Sequence, residues 1–167
     1  MKKPLILVTN DDGITAPGIR ALISIMKEIG HVVVVAPDSP QSAMGHAITV
    51  NNTLFLEQVY IDKDEIKEFA CSGTPVDCVK IAIDQIIKAK PDICVSGINH
   101  GSNSASNVIY SGTMSAAVEA GMSGIPAIGF SLADFSWNAD FEPIKKFVKQ
   151  ITLETLKNGL PEGVVLN

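Results

Sequence analysis

Two aspartates stand side by side in Asn10-Asp11-Asp12-Gly13, directly after the apolar run Leu5-Ile6-Leu7-Val8. Neighbouring carboxylates at the end of a buried segment repel each other by about 4 kcal/mol at 4 Å and an effective dielectric near 20, so something has to offset the charge. A hard divalent cation does so with oxygen ligands from carboxylate, amide and hydroxyl groups, the preference of magnesium, manganese or calcium. Ser42 and Asn99 lie in loops after two further apolar runs and bring a hydroxyl and an amide oxygen of that kind. Each residue also has a plainer reading: an Asx turn before a helix for Asp11-Asp12-Gly13, a helix cap or ST-turn for Ser42, and a left-handed residue beside Gly101 for Asn99. Convergence of three loops on one point is what favours a cation site.

A second pattern follows the third of those runs. The stretch from Gly97 to Gly112 carries Gly101 between them and ends in Ser111-Gly112-Thr113 at the start of a helical segment. Glycine lets the backbone approach a ligand, and the free amides at a helix start attract a phosphoryl group. Alone, the triplet is equally a plain N-cap, and no G-x-x-x-x-G-K-[ST] phosphate loop is present. His46 and His100 sit in the same loops, where a histidine is usually just solvated. Asp38 is expected to hydrogen-bond its own loop. A serine triad is disfavoured because no G-x-S-x-G occurs, and Cys71, Cys78 and Cys94 read as core residues without C-x-x-C spacing.

The elements that must position these residues alternate. Leu5 to Val8 reads as a strand buried on both faces. A helix opens at Pro17 and carries Ile19, Leu22, Ile23 and Met26 before Gly30, and a second strand runs from Val32 to Val35. Ala47 to Val50 and Leu54 to Leu56, on either side of Asn51-Asn52, give a hairpin signal, with Phe69-Ala70-Cys71 as a further short strand. A helix follows from Pro75 to about Lys88 with a Thr74/Asp77 capping box, then a strand at Ile93-Cys94-Val95. A small-residue helix, Thr113 to Met122, a strand from Ala127 to Phe130, and an amphipathic helix presenting Ile144, Phe147, Val148 and Ile151 complete the pattern, with Val164-Val165-Leu166 as a closing strand. The expected fold is α/β: a single Rossmann-like three-layer domain over 1–167, with a mainly parallel sheet and an antiparallel hairpin excursion. In such a sheet ligands bind beyond the carboxyl ends of the strands, where the polar loops fall.

Composition narrows the partners. In 167 residues, 46% are hydrophobic and 19% charged, which suits one well-buried domain and excludes disorder. Thirteen basic residues face eighteen acidic ones and Arg20 is the only arginine, so polymeric nucleic acid is not an expected partner. The basic start Met1-Lys2-Lys3-Pro4 is followed by too short an apolar run for a signal or membrane segment. Together with the odd cysteine count, this gives an expectation of a cytoplasmic, unprocessed protein with no membrane partner.

Taken together, Val8 to Gly13, Pro37 to His46, Ser72 to Val79, Ser96 to Asn103 and Ser111-Gly112-Thr113 resemble the SurE (survival protein E) family, in order and spacing through nearly the whole chain. The resemblance implies a metal-dependent 5'- and 3'-nucleotidase acting on nucleoside monophosphates, with some members also taking short polyphosphate. It implies one divalent cation, Mg²⁺ or Mn²⁺ with Ca²⁺ as another occupant, on Asp11, Asp12, Ser42 and Asn99. Asp11 and Asp12 then carry catalysis, and phosphate or substrate contacts fall on Asn10, Gly45, His46, His100, Gly101, Asn103, Ser111, Gly112 and Thr113. His100 stands where arginine is common in the family, which bears on substrate preference. Family members continue past the equivalent of Asn167 with an extension used in dimer or tetramer contacts, so a homodimer or tetramer is expected only with that extension.

The resulting expectation is a 5'-nucleotidase that hydrolyses phosphomonoesters by activating water, with Asp11 assisting its deprotonation. Two alternatives stay beside it. One is a nucleotide-binding module without turnover. The other is a haloacid dehalogenase-type phosphatase, which Asn10 opposes by standing where the nucleophilic aspartate is needed.

Overall fold

The computed structural model describes residues 3–61, 66–136 and 138–167; Met1 and Lys2 of the basic start lie outside the described residues. Six strands form one sheet: β1 (Leu5–Thr9), β2 (His31–Pro37), β3 (Leu56–Val59), β4 (Lys67–Cys71), β5 (Ile93–His100) and β6 (Ala127–Leu132). Their order is β3-β4-β2-β1-β5-β6. All neighbours are parallel except β3 and β4. Among the described residues four α-helices cover the sheet: α1 (Pro17–Lys27), α2 (Pro75–Ile81), α3 (Gly112–Met122) and α4 (Lys145–Asn158).

The alternating side chains of β1 explain the three layers. Ile6 and Val8 point into a core with Ile19, Leu22, Ile23 and Met26 of α1 and Val148 of α4. Leu7 points the other way, toward Cys78 and Val79 of α2 and Met114, Ala116 and Ala117 of α3. Each such aliphatic side chain, fully removed from water, contributes about 1.5–3 kcal/mol, which is why the central strands are apolar on both faces. The three cysteines are free and buried in the second core.

Local signals fix the helix starts. Pro17 opens α1. Thr74 and Asp77 close a reciprocal capping box on α2. Ser111 Oγ accepts from the Met114 amide at 3.0 Å and caps α3. The helix expected from Pro75 to Lys88 is α2 prolonged by a π-helical segment, Ala82–Ile87.

The antiparallel excursion is present and takes in the expected short strand Phe69-Ala70-Cys71, though not the hairpin expected about Asn51-Asn52. It is built from β3 and β4, while Ala47 to Val50 forms no ladder. The reason is the capping box. Thr49 N donates to both Asp77 carboxylate oxygens at 3.1 and 3.2 Å, and Thr74 Oγ1 donates to Ala47 O at 2.7 Å. The segment thus spends its polar groups over the α2 N-terminus instead of on a neighbouring strand.

The expected buried stripe of α4 is also displaced. Phe147 and Ile151 are 54% and 42% exposed, and the buried face is Val148, Thr152 and Thr155. Thr152 turns its hydroxyl back onto Val148 O at 2.8 Å, so a small polar residue packs where a large one was expected. The closing strand reduces to a single bridge, Leu166 beside Ile128. Among the described residues no helix is long and apolar enough to cross a membrane.

Candidate active site

Parallel register brings the three polar loops level. Thr9 of β1 lies beside Ser96 of β5, and β2 flanks β1 on its other side. The chain therefore leaves β1, β2 and β5 at one rim of the sheet, with Asp11 and Asp12, Ser42, and Asn99 at their carboxyl ends.

All four of these oxygen-bearing residues line a single cavity of ≈ 270 Å³, together with His100, Ser102, Asn103, Asn107, Tyr110 and Ser111. Asp11 is the innermost, at 5% exposure. Thr113 Oγ1 donates to Asp11 Oδ1 at 2.5 Å and lies 3.4 Å from Asn99 Oδ1, so one hydroxyl ties the two loops together. Asn99 commits its amide nitrogen to His100 O and Gly101 O at 3.0 Å each, which fixes which end of the amide is the acceptor toward Thr113. The Ser42 loop is pinned from three sides: Gln41 N donates to Asp11 O at 2.7 Å, Gly45 N to Tyr110 O at 3.3 Å, and His46 Nε2 lies 3.0 Å from Glu119 Oε2 on α3.

Gly112 has a specific role here. A Cβ on it would lie 2.6 Å from Asp11 Cβ and 2.9 Å from Asp11 Oδ2, so only glycine lets the carboxylate sit against the start of α3. Burial raises the Asp11 pKa, against which the Thr113 hydroxyl and the backbone amides of Asp11, Thr113 and Gly112 act. The Asp12 pKa is raised by burial and by the Asp11 charge, with His100 opposing. Among the described residues no lysine or arginine lines the cavity. Among the described residues no three His, Cys, Asp or Glu side chains come together as a metal group. A cation here therefore depends on amide and hydroxyl oxygens as well as the two carboxylates, which is the donor chemistry of a hard metal. Two crowded carboxylates with no lysine or arginine beside them among the described residues fit such an ion.

The remaining sequence candidates divide. His100, Asn103 and Ser111 line the cavity, whereas Asn10, Gly45, His46, Gly101, Gly112 and Thr113 are absent from its wall and act from behind it. Asn10 Nδ2 donates to Gly13 O at 2.9 Å and shapes the turn. Gly112 and Thr113 hold Asp11, and Gly45 and His46 hold the Ser42 loop. Ser102, Asn107 and Tyr110 of the cavity wall were not singled out from sequence; their place in the loop before α3 was the available signal. Asp38 does bond within its own loop, accepting from Ser39 Oγ at 2.7 Å.

A parallel α/β sheet with an oxygen-donor cluster beyond its strand ends belongs to the class of doubly wound domains that bind ligand at that rim. Comparison with known proteins makes this specific. The family model described as "Survival protein SurE" matches residues 6–167, and the chain belongs to the SurE family. A Flavobacterium johnsoniae protein named 5'-nucleotidase SurE is 78% identical over 166 residues, 99% of this chain and 64% of that protein. One of the same name from Christiangramia forsetii is 74% identical over 167 residues, 99% of this chain and 64% of that protein. The crystal structure of the SurE protein from Aquifex aeolicus superposes with a TM-score of 0.86 at 42% identity, covering 95% of this chain and 62% of that one. The chain thus spans 64% of the length of these two named relatives.

Proposed function

We propose that this chain carries the catalytic centre of a divalent-cation-dependent phosphomonoesterase that converts nucleoside monophosphates to nucleoside and orthophosphate. The observation that carries the reading is the meeting of Asp11, Asp12, Ser42 and Asn99 on one cavity. The relatives' name, 5'-nucleotidase, supplies the substrate class.

Asp11, Asp12, Ser42 and Asn99 would hold the cation, Mg²⁺ or Mn²⁺, which when bound supplies charge neutralisation and polarisation of a phosphoryl oxygen. The chain's own residues do the rest. Ser111 and Asn103, on the cavity wall, hydrogen-bond the phosphoryl oxygens and set the phosphorus in line with water. Thr113 holds the Asp11 carboxylate in one orientation, from which Asp11 takes the proton of the attacking water. The P–O bond to the nucleoside breaks as the new P–O bond forms, and the proton taken from water passes to the leaving oxygen, giving the nucleoside hydroxyl. A dehalogenase-type phosphoenzyme is not favoured, since Asn10 is 1% exposed with its amide nitrogen committed to Gly13 O.

Phosphate release from AMP, with and without EDTA, is the test. Asp12→Asn is expected to lower the rate by about 10²–10⁴-fold in manganese, the range of a lost acid–base or charge-stabilising group. Hydrolysis by Asp12→Asn at the parent rate would rule the reading out, and AMP binding without release by the parent would leave a binding module in its place.

A further inference from the structure

Strand β6 reaches the candidate site from behind. It pairs with β5 as Gly129 beside Ser96 and Ser131 beside Asn99, so β5 has one residue more between these pairs. Gly97 makes this bulge possible, with φ at +121° and no room for a Cβ against Phe130 O. The extra residue reverses the alternation of faces, and Ile98 joins Ile93 and Val95 in the core under α1 and α4. Asn99 then falls on the opposite face, where Thr113 of α3 meets it, and Ser131 stands level with it on the neighbouring strand.

Ser131 engages Asn103, which is 7% exposed and lines the cavity of the carboxylate pair. Asn103 Nδ2 donates to Ser131 Oγ at 2.9 Å, and its Oδ1 lies 3.4 Å from Asn99 Nδ2. Asn99 Nδ2 is a fixed donor, since it also bonds His100 O and Gly101 O, so the end of the Asn103 amide beside it must be the oxygen. The nitrogen end belongs to Ser131, and one of its two hydrogens remains for an acceptor in the cavity. The main chain of this loop is held elsewhere: Gly101 N donates to Leu132 O at 2.8 Å, and Asn103 O accepts from Asn167 Nδ2 at 3.0 Å. What the Ser131 hydroxyl fixes is therefore the rotamer of the Asn103 side chain. Asn99 is held by the carbonyls of its own loop and does not need Ser131.

We infer that Ser131 is a positioning residue for the phosphoryl group: its hydroxyl holds the Asn103 amide with the remaining N–H turned to the cavity, and it takes no part in holding the cation. The inference rests on the phosphomonoesterase reading, which gives that N–H a phosphoryl oxygen. The test compares the parent with Ser131→Ala, Ser131→Thr, Asn103→Ala and the double alanine variant. Two readouts need no turnover: the Kd for manganese, and the Kd for orthophosphate in saturating manganese, both by calorimetry. Ser131→Ala is expected to weaken orthophosphate binding and lower kcat/KM for AMP, each by about three- to tenfold, the range of one hydrogen bond, with the manganese Kd unchanged. Ser131→Thr keeps a hydroxyl and is expected to restore both. In the Asn103→Ala background, removing the Ser131 hydroxyl should have no further effect, because its action passes through that amide. A manganese Kd that weakens in step with orthophosphate, a full additional loss in the double variant, or a Ser131→Ala protein that matches the parent would overturn the positioning role while AMP hydrolysis by the parent stands. Orthophosphate binding that depends on Ser131 through Asn103, with no phosphate released from AMP by the parent, would support the role and remove the nucleotidase. A parent that neither binds orthophosphate nor hydrolyses AMP would overturn both.

Discussion

Glu68 and Asp11 are both carboxylates withdrawn from water, at 1% and 5% exposure, and the chain treats them in opposite ways. Glu68 meets the only arginine of the sequence: Arg20 NH1 and NH2 donate to its two oxygens at 2.6 and 3.0 Å. Glu119 is likewise answered, by Lys80 at 2.8 Å and His46 at 3.0 Å. Asp77 spends its charge on the Thr74 and Thr49 amides. Asp11 has hydrogen bonds but, among the described residues, no lysine or arginine in its cavity, and its neighbour is a second carboxylate. Charges that serve the fold are neutralised from within the chain. For the pair at the strand rim, the proposed cation would supply that neutralisation from outside.

The largest effect should come from unsettling the first kind. Arg20→Met leaves Glu68 buried without its partner, and urea unfolding is expected to show a loss of about 3–5 kcal/mol, most of it recovered in Arg20→Met/Glu68→Leu. An unchanged unfolding midpoint in the single variant would break the comparison.

A smaller effect sharpens it at Glu119. Its partners Lys80 and His46 are 46% and 38% exposed, so solvent screens the pair, and Glu119→Gln is expected to cost about 1 kcal/mol at pH 7. Burial raises the Glu119 pKa, but Lys80 and His46 more than offset this and the net direction is down from 4.5. A carboxyl whose folded pKa is depressed contributes stability above its unfolded value and loses it as pH falls through the folded one. The difference between parent and variant in thermal unfolding should therefore vanish on acidification below that range. A difference that grew in acid would contradict the assignment.

Much of this was legible in the sequence where the signal is local. Leu5 to Val8 and Ile93 to Val95 read as strands because strands buried on both faces must be apolar throughout, and Thr74-Pro75-Val76-Asp77 read as a helix start because the box is closed within four residues. The four cation-binding candidates were legible because loops after parallel strands converge by topology. What escaped depends on contacts distant in sequence. Ala47 to Val50 has the composition of a strand, and only the position of Asp77 explains why it forms none. Thr113 read as a phosphate contact, yet it is bonded to a carboxylate 102 residues away.

The central claim, that the Asp11 and Asp12 pair awaits a cation, is tested most directly by thermal unfolding of the parent and Asp12→Asn across a manganese titration in metal-free buffer. Binding to the folded state alone should stabilise the parent by about 2.7 kcal/mol at a hundredfold excess over Kd, a Tm rise of roughly 5–10 °C for a domain of this size. Asp12→Asn should show no such rise and, without manganese, should unfold no earlier than the parent, since one repelling charge is gone. A parent Tm indifferent to manganese, or a variant that rises with it equally, would contradict the account.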